Sequence, residues 1–144
     1  MPERLTRETL GAWLLKAHPA TPGFESLAQD GFTGVRTRCV RASYRTELVE
    51  AGQPVLLWVS GRDPRHPAGL HAQGRTRGEA GTEDGEPVLP VALAPLEVPV
   101  PRAELLAHPL LRDLEVLRMP AGSNPSYLTG EQYAALRADW PQVD

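Results

Sequence analysis

Residues 52–61, with the sequence GQPVLLWVSG, contain the strongest strand signal in the sequence. The apolar run from Pro54 to Val59 contains Val and Trp, which strands favour, and glycines bound it on both sides. A Pro-rich polar loop follows, and GLHAQGR at residues 69–75 returns as a second strand. The sequence therefore predicts a hairpin with a long loop.

Further strands and short helices are predicted on both sides of this hairpin. Strands are expected at residues 12–16 (AWLLK), 35–40, 88–96 and, briefly, 114–117. The third has Pro90 and Pro95, which favour an edge position or bends. Short helices are expected at residues 24–29, 44–50, 102–107 and 129–138, and a flexible loop at 78–87. Thr129 and Gln132 have the spacing of a capping box. These elements predict a small barrel-like α+β domain.

The chain of 144 residues fits a single domain over residues 1–144, with residues 1–11 as a loose N-terminal extension. No apolar run approaches the roughly 20 residues that span a bilayer, so no membrane partner is expected. Residues 1–10 lack the apolar region of a signal peptide. Cys39 is the only cysteine, which excludes an internal disulfide and favours a cytoplasmic location. Heavy use of Arg, Ala, Gly and Pro suggests a GC-rich, bacterial genome.

The net charge of −3 hides a strong asymmetry along the chain. Residues 33–78 contain eight arginines and three acidic residues, whereas residues 79–144 contain four arginines and eleven acidic residues. The basic segment predicts either a solvated face without a ligand or a surface for an anionic partner. The chain has fourteen arginines but one lysine, Lys16, which hints at a position where arginine cannot serve.

Signatures of catalysis, cofactors and metals are absent from the sequence. The glycines at 74, 78 and 81 lack dinucleotide-fingerprint spacing, and no phosphate-binding loop is present. The four histidines are scattered without metal-ligand pairing to Cys39. Ser60 is not in a nucleophile elbow. We therefore expect no metal and no cofactor, and assign no catalytic residue.

Three segments together resemble the EVE family of PUA-like domains. WLLK at residues 13–16 resembles the family's opening strand. GQPVLLWVSG at 52–61 with AGLHAQGR at 68–75 is similar to its central strand and return strand, and LTGEQY at 128–133 to its closing helix. The resemblance covers most of residues 12–137. It implies a twisted β-barrel of about five to six strands, flanked by short helices, with a pocket on one side.

The EVE family is related to YTH and ASCH domains, and some relatives bind modified bases. The resemblance thus implies a nucleic-acid-binding module for RNA or DNA, with a base pocket beside a basic face. Carried onto this chain, the pocket residues are Lys16, Trp58, Ser60 and, less directly, Trp13. The expected phosphate contacts are Arg36, Arg38, Arg41, Arg45 and Arg62. Residues 32–44 lack the tryptophan that the family often has there, and we expect Arg38 in its place.

Alternative interpretations remain open on the sequence alone. Trp58 lies in an apolar strand and could be a core residue, since large aromatic side chains mostly fill cores. Lys16 could instead serve a small nucleoside amidohydrolase of the ASCH type, if burial lowered its pKa and a Thr and a Glu lay nearby. The arginine face could also dock an acidic protein without any small ligand.

Overall fold

The apolar run at residues 54–59 organises the sheet. In the computed structural model, which describes residues 4–144, it forms strand β3 (Pro54–Val59). This strand pairs antiparallel with β4 (Gly69–Thr76) and parallel with β1 (Leu10–Ala17). Residues 55–59 are all buried, because β3 is covered on both faces. The predicted hairpin is confirmed.

Four further strands extend this core into one curled, mixed sheet. They are β2 (Thr37–Cys39), β5 (Gly81–Glu83), β6 (Glu86–Pro101) and β7 (Ser126–Thr129). The strand order is β2-β6-β4-β3-β1-β7, and β5 pairs with β6. The sheet curls into a half-barrel with short helices beside it, so the predicted α+β class is confirmed, with seven strands among the described residues instead of five or six.

The helices are short and lie between or after the strands. They are α1 (Phe24–Gln29), α2 (Arg102–Leu106), α3 (Glu115–Arg118) and α4 (Gly130–Asp139), with single 3₁₀ turns at Thr46–Leu48 and Leu111–Asp113. The predicted capping box of Thr129 and Gln132 is present at α4. None of the helices in residues 4–144 combines the length and the apolar character needed to cross a bilayer.

Strand alternation divides the buried residues between the two faces of the sheet. Trp13, Leu15 and Leu57 face the inside of the half-barrel, where they pack with Phe24, Phe32 and neighbouring apolar residues. Leu14, Leu56 and Trp58 face the other way, beneath the helices α2, α3 and α4. We call these the barrel face and the helix face. Successive side chains of a strand point to opposite faces, so in β1 and β3 residues of the same parity share a core.

Four predictions about local structure are corrected. Of the two alternatives for β6, the edge position is wrong, because β6 lies between β4 and β2. Pro95 lies at a break in the β4–β6 register, consistent with a bend, and the carbonyl of Pro90 accepts from the backbone N–H of Arg77. Residues 78–87 contain strand β5 and a turn into β6 instead of a flexible loop. Residues 115–118 are helical, not a strand.

The fourth correction concerns the N-terminus. The predicted loose extension over residues 1–11 falls in part on residues 1–3, which lie outside the described residues. From residue 4 onward the chain is packed: Leu5 is 4% exposed and joins the core of the barrel face. Arg7 donates hydrogen bonds to the carbonyls of Glu47 and Leu48, and β1 already begins at Leu10.

Candidate functional site

The carboxyl ends of β1 and β3 meet at one edge of the sheet, because these strands run parallel. Lys16 is paired with Trp58, and the backbone N–H of Ser60 donates to the carbonyl of Ala17 at 2.8 Å. Ligand sites of sheets with parallel strands commonly form beyond such ends. The edge carries an opening on each face of the sheet. Among the predicted site residues, Arg38 lines one opening, and Trp58, Ser60 and Arg62 line the other.

On the barrel face lies a half-enclosed cavity of about 50 Å³, which we call the apolar cavity. The rings of Phe24 and Phe32 meet edge to face there, with centroids 5.7 Å apart. Its single charged lining residue is Arg38. The full lining is Ala17, Thr21, Pro22, Phe24, Leu27, Phe32, Val35, Arg38 and Leu57.

Arg38 is held in the cavity wall with unused hydrogen-bond donors. Its Nη2 donates to the carbonyl of Lys16 at 2.7 Å. Its Nε is buried and has no hydrogen-bond partner among residues 4–144. Burial lowers the pKa of Arg38, while Cys39 opposes the shift. An unsatisfied buried donor costs about 1–3 kcal/mol, so an acceptor group that entered the cavity would find a favourable partner.

The rim of the apolar cavity is tied to the loop between β3 and β4. Glu25 in α1 accepts from Nε2 of His66 at 2.9 Å, and Nη2 of Arg65 lies 3.2 Å from both Glu25 and Asp63. The His66 ring also packs edge to face on Phe24. Ligand atoms of Glu25, Asp63 and His66 lie within 4.8 Å of one another, which resembles a metal site. The guanidinium of Arg65 already serves as the cation of this cluster.

On the helix face lies a more open cleft of about 360 Å³, which we call the arginine cleft. It is lined by Trp58, Ser60, Gly61, Arg62, Ala68, Arg102, Val116 and Pro120. Trp58 is only 4% exposed and packs into the core of the helix face, so it offers an edge to the cleft. Trp58 and Ser60 thus lie on one face of the sheet, as alternation predicts. Trp58 is also a core residue.

Lys16 does not line either opening. Its Nζ donates to the carbonyls of Met119, Pro120 and Gly122, at 3.3, 3.4 and 2.7 Å. Burial lowers its pKa, whereas the charge of Glu115 opposes that shift. An ammonium group has three N–H donors, and all three have acceptors here. Lys16 therefore fixes the loop at residues 119–122, which forms part of the wall of the arginine cleft through Pro120.

Arg45 is also engaged within the protein. Its Nη1 and Nη2 donate to the two carboxylate oxygens of Glu115 at 2.8 and 2.7 Å, and Nη1 reaches the carbonyl of Pro125 at 2.9 Å. The hydroxyl of Ser126 donates to the same carboxylate at 2.9 Å. Burial opposes the shift, but these hydrogen bonds lower the pKa of Glu115. This network joins α3 to β7 and the segment around residue 45.

The remaining predicted residues fall into two groups. Trp13 is fully buried on the barrel face, and its Nε1 donates to Oε1 of Gln53 at 2.8 Å, which gives it a structural role away from both openings. Arg36, Arg41 and Arg62 are exposed, so their guanidinium groups are accessible to a partner. Among the expected phosphate contacts, Arg38 and Arg45 alone are committed to internal hydrogen bonds.

The sequence did not identify Phe24 and Phe32 as cavity residues. Phe32 is one of two non-glycine residues with positive φ in residues 4–144, at 66°, and follows Gly31 at 65°. This conformation turns its ring into the barrel face beside Phe24. The adjacent glycine was the available signal, since Gly readily adopts such angles, although it does not reveal where the next side chain points.

The curled sheet and its flanking helices constitute a PUA-like fold, as the comparisons with solved structures show. Human THYN1, in a crystal structure with DNA containing 5-methylcytosine, superposes with a TM-score of 0.62 and 17% identity, over 88% of this chain and 95% of that one. Rpa0253 from Rhodopseudomonas palustris superposes with a TM-score of 0.68 and 16% identity, over 94% of this chain and 96% of that one. A protein from Leishmania major superposes with a TM-score of 0.69 and 16% identity, over 94% of this chain and 98% of that one. No protein-family model and no curated protein sequence matches the chain.

Proposed function

We propose that this domain binds nucleic acid and accommodates one extruded base, modified or not, in the apolar cavity. The observation that carries the proposal is Arg38, a guanidinium with unused donors in the wall of a cavity lined by aromatic rings. A base offers a flat face for aromatic contact and an edge of hydrogen-bond acceptors. The fold shared with THYN1, whose crystal structure contains 5-methylcytosine DNA, supports the same class of ligand.

The size of the apolar cavity sets a condition on this proposal. At about 50 Å³, the cavity holds only a few water molecules at roughly 10–15 Å³ each, so a whole base requires the rim to open. Opening the rim would require α1 to move, a six-residue helix tied to the β3–β4 loop by Glu25, Arg65 and His66. The ion pair of Arg65 with Glu25 is exposed and contributes about 0–1 kcal/mol, but Phe24 in the same helix is buried, and exposing its side chain costs about 1.5–3 kcal/mol.

The basic surface supplies the second requirement of nucleic-acid binding. Arg36, Arg41 and Arg62 are exposed, and each can pair with a phosphate. If all three contact phosphates of duplex DNA, the logarithm of the binding constant falls with the logarithm of salt at a slope of about −2.7. Phosphate contacts position the strand, and the apolar cavity would confer any preference among bases.

The test uses fluorescence anisotropy with a short labelled duplex containing one 5-methylcytosine and its unmodified counterpart, at two salt concentrations. We expect Arg38→Gln and Phe32→Ala to abolish any preference for the modified duplex, since each removes a contact to the base. Arg112→Gln removes an exposed arginine that lines neither the apolar cavity nor the cleft on the helix face and is the control. Binding and preference that persist unchanged in a folded Arg38→Gln variant would refute the role of the apolar cavity.

The alternative base pocket, built on Lys16, Trp58 and Ser60, is separated by the same assay. Trp58→Phe keeps an aromatic ring in the core, and Ser60→Ala removes only a weak hydrogen bond of 3.4 Å to the carbonyl of Ala17. If the base enters the apolar cavity, both variants retain the preference for the modified duplex. If they lose it while Arg38→Gln retains it, the base lies on the helix face.

One observation favours a second function, hydrolysis of a nucleoside amide. Burial lowers the pKa of Lys16 and the charge of Glu115 opposes that shift, while Ser126 donates a hydrogen bond to the Glu115 carboxylate. A lysine, a carboxylate and a hydroxyl thus lie in one region, although Lys16 is hydrogen-bonded to backbone carbonyls and not to Glu115. The three carbonyls that hold the Lys16 ammonium weigh against a role as a base, because they favour its protonated form. Turnover of an acylated nucleoside that disappears in Lys16→Met would establish the hydrolase. If an acidic protein binds the domain while neither nucleic acid nor nucleoside binds, the domain would instead serve to dock proteins.

A further inference from the structure

The arginine cleft lies directly across the sheet edge from the apolar cavity. Ala17 lines the cavity and Ser60 lines the cleft, and the backbone N–H of Ser60 donates to the carbonyl of Ala17 at 2.8 Å. A strand that delivers a base into the cavity must therefore carry its flanking backbone past this edge. The cleft is positioned to meet that backbone.

The chemistry of the cleft suits a phosphodiester. Arg62 and Arg102 are its two charged lining residues, and no carboxylate lines it. Neither guanidinium has a hydrogen-bond or ion-pair partner among residues 4–144, although neighbouring Arg65 is paired with Asp63. Arginine presents a planar fork of donors that matches phosphate oxygens. The hydroxyl of Ser60, which has only a 3.4 Å hydrogen bond, is a further donor.

The walls of the cleft are fixed relative to each other. The backbone N–H of Arg102, at the start of α2, donates to the carbonyl of Ala68 in the β3–β4 loop at 2.9 Å. Pro120 lies on the loop that the Lys16 ammonium holds through three carbonyls. Trp58 and Val116 add apolar lining. The cleft thus presents two exposed guanidinium groups from elements whose relative positions are set by hydrogen bonds.

We propose that the arginine cleft binds a backbone phosphate of the strand whose base enters the apolar cavity, with Arg62 and Arg102 as its two ligands. This inference rests on the proposed function and adds a second contact region on the opposite face of the sheet. It extends the phosphate surface from the basic segment at residues 33–78 to Arg102, which the sequence placed in the acidic part of the chain.

The decisive experiment combines protein and DNA modifications in one cycle. The duplex with one 5-methylcytosine carries a neutral methylphosphonate at each of the phosphates flanking that base in turn. We expect one position to weaken binding of the natural protein about tenfold and to have no effect on the Arg62→Gln/Arg102→Gln double variant. The salt slope of the double variant should be smaller by about 0.9 for the phosphate lost.

The controls separate failure of this proposal from failure of the proposed function. Both arginines are exposed, so the melting temperature of the double variant should equal that of the natural protein, and Arg112→Gln should leave the salt slope unchanged. Base preference should survive in the double variant, because phosphate contacts carry no base information. If Arg38→Gln abolishes the preference but the methylphosphonate effects persist in the double variant, the cleft is refuted while the cavity stands. If the natural protein binds no duplex at low salt, both are refuted.

Discussion

Replacing Glu115 with Gln tests whether the partly buried ion pair with Arg45 stabilises the fold. The side chains of Arg45 and Glu115 are 22% and 15% exposed, and two hydrogen bonds of 2.8 and 2.7 Å join them. Removing one partner of a buried pair costs 3–5 kcal/mol, while exposed pairs contribute about 0–1 kcal/mol. Since this pair is mostly but not fully buried, we expect a loss of about 3 kcal/mol.

Gln has the same shape as Glu but no charge, so the substitution leaves the Arg45 guanidinium without its counter-ion. Arg45 retains the carbonyl of Pro125 and a position over the ring of Tyr127, 4.9 Å from its centroid. Its charge would nevertheless lack the carboxylate, whose hydrogen bond is the main cause of the raised pKa of Arg45. A buried charge without its counter-ion is the principal term in such losses.

Urea unfolding at pH 7 measures the effect directly. With a denaturant slope of about 1.5 kcal/mol/M, a loss of about 3 kcal/mol lowers the midpoint by about 2 M. Glu97→Gln changes an exposed carboxylate in β6 and should stay within about 0.5 kcal/mol of the natural protein. A midpoint shift below about 0.5 M for Glu115→Gln would refute the argument.

The pH dependence supplies an independent check on the same carboxylate. The pKa of Glu115 in the folded protein is below its ordinary value of 4.5. Its contribution is therefore full above pH 4.5 and is lost as the pH falls from 4.5 through the folded-state pKa. We expect the natural protein to lose stability over this window more steeply than Glu115→Gln. Parallel curves would contradict the assignment.

Three further predictions concern stability. Burial lowers the pKa of His71 from its ordinary 6.5, so the natural protein should lose stability as the pH falls from 6.5 toward the folded-state pKa. The free energy of unfolding of His71→Gln, measured in urea, should depend less steeply on pH over this range. Gly74→Ala should cost about 3 kcal/mol of stability, because its Cβ would lie 1.7 Å from the carbonyl oxygen of Ala92. Gly130→Ala lies in open space at the start of α4, so it should be neutral or stabilising by up to about 1 kcal/mol. Equal melting temperatures of the two variants would contradict this prediction. Lys16→Arg should lower stability by about 1–2 kcal/mol and speed amide hydrogen exchange at residues 119, 121 and 122; unchanged exchange would count against the role of the ammonium.

The sequence predicted the elements whose signals are local. β3 has the bounds expected from residues 54–59, α1 those expected from 24–29, and Thr129 begins α4 with its capping box. Residues 114–117 were misread because a short apolar run does not distinguish strand from helix. The prolines of β6 left an edge position and a bend as alternatives, and the sequence could not choose between them. An interior strand accommodates a proline where its missing donor faces a register break, and that break depends on pairing with β4.

The site was less predictable because it depends on where the sheet curls. Strand alternation correctly placed Trp58 and Ser60 on one face, but it also puts Trp13 on the other face, since the β1–β3 register pairs Lys16 with Trp58. The apolar cavity joins α1, β2 and the ends of two parallel strands, which are separated in sequence. No local pattern reports that Phe32 and Arg38 line it together.

The lone lysine among fourteen arginines acquires a physical explanation from its contacts. Three carbonyl oxygens, of Met119, Pro120 and Gly122, converge on Nζ of Lys16. A compact ammonium directs three donors from one atom, whereas a guanidinium spreads five donors over a plane and is too wide for such a cage. The shape of the ammonium group, rather than a catalytic role, therefore explains why this position holds a lysine. By fixing the loop that carries Pro120, the lysine connects the end of β1 to the wall of the arginine cleft, and it can influence ligand binding without touching the ligand.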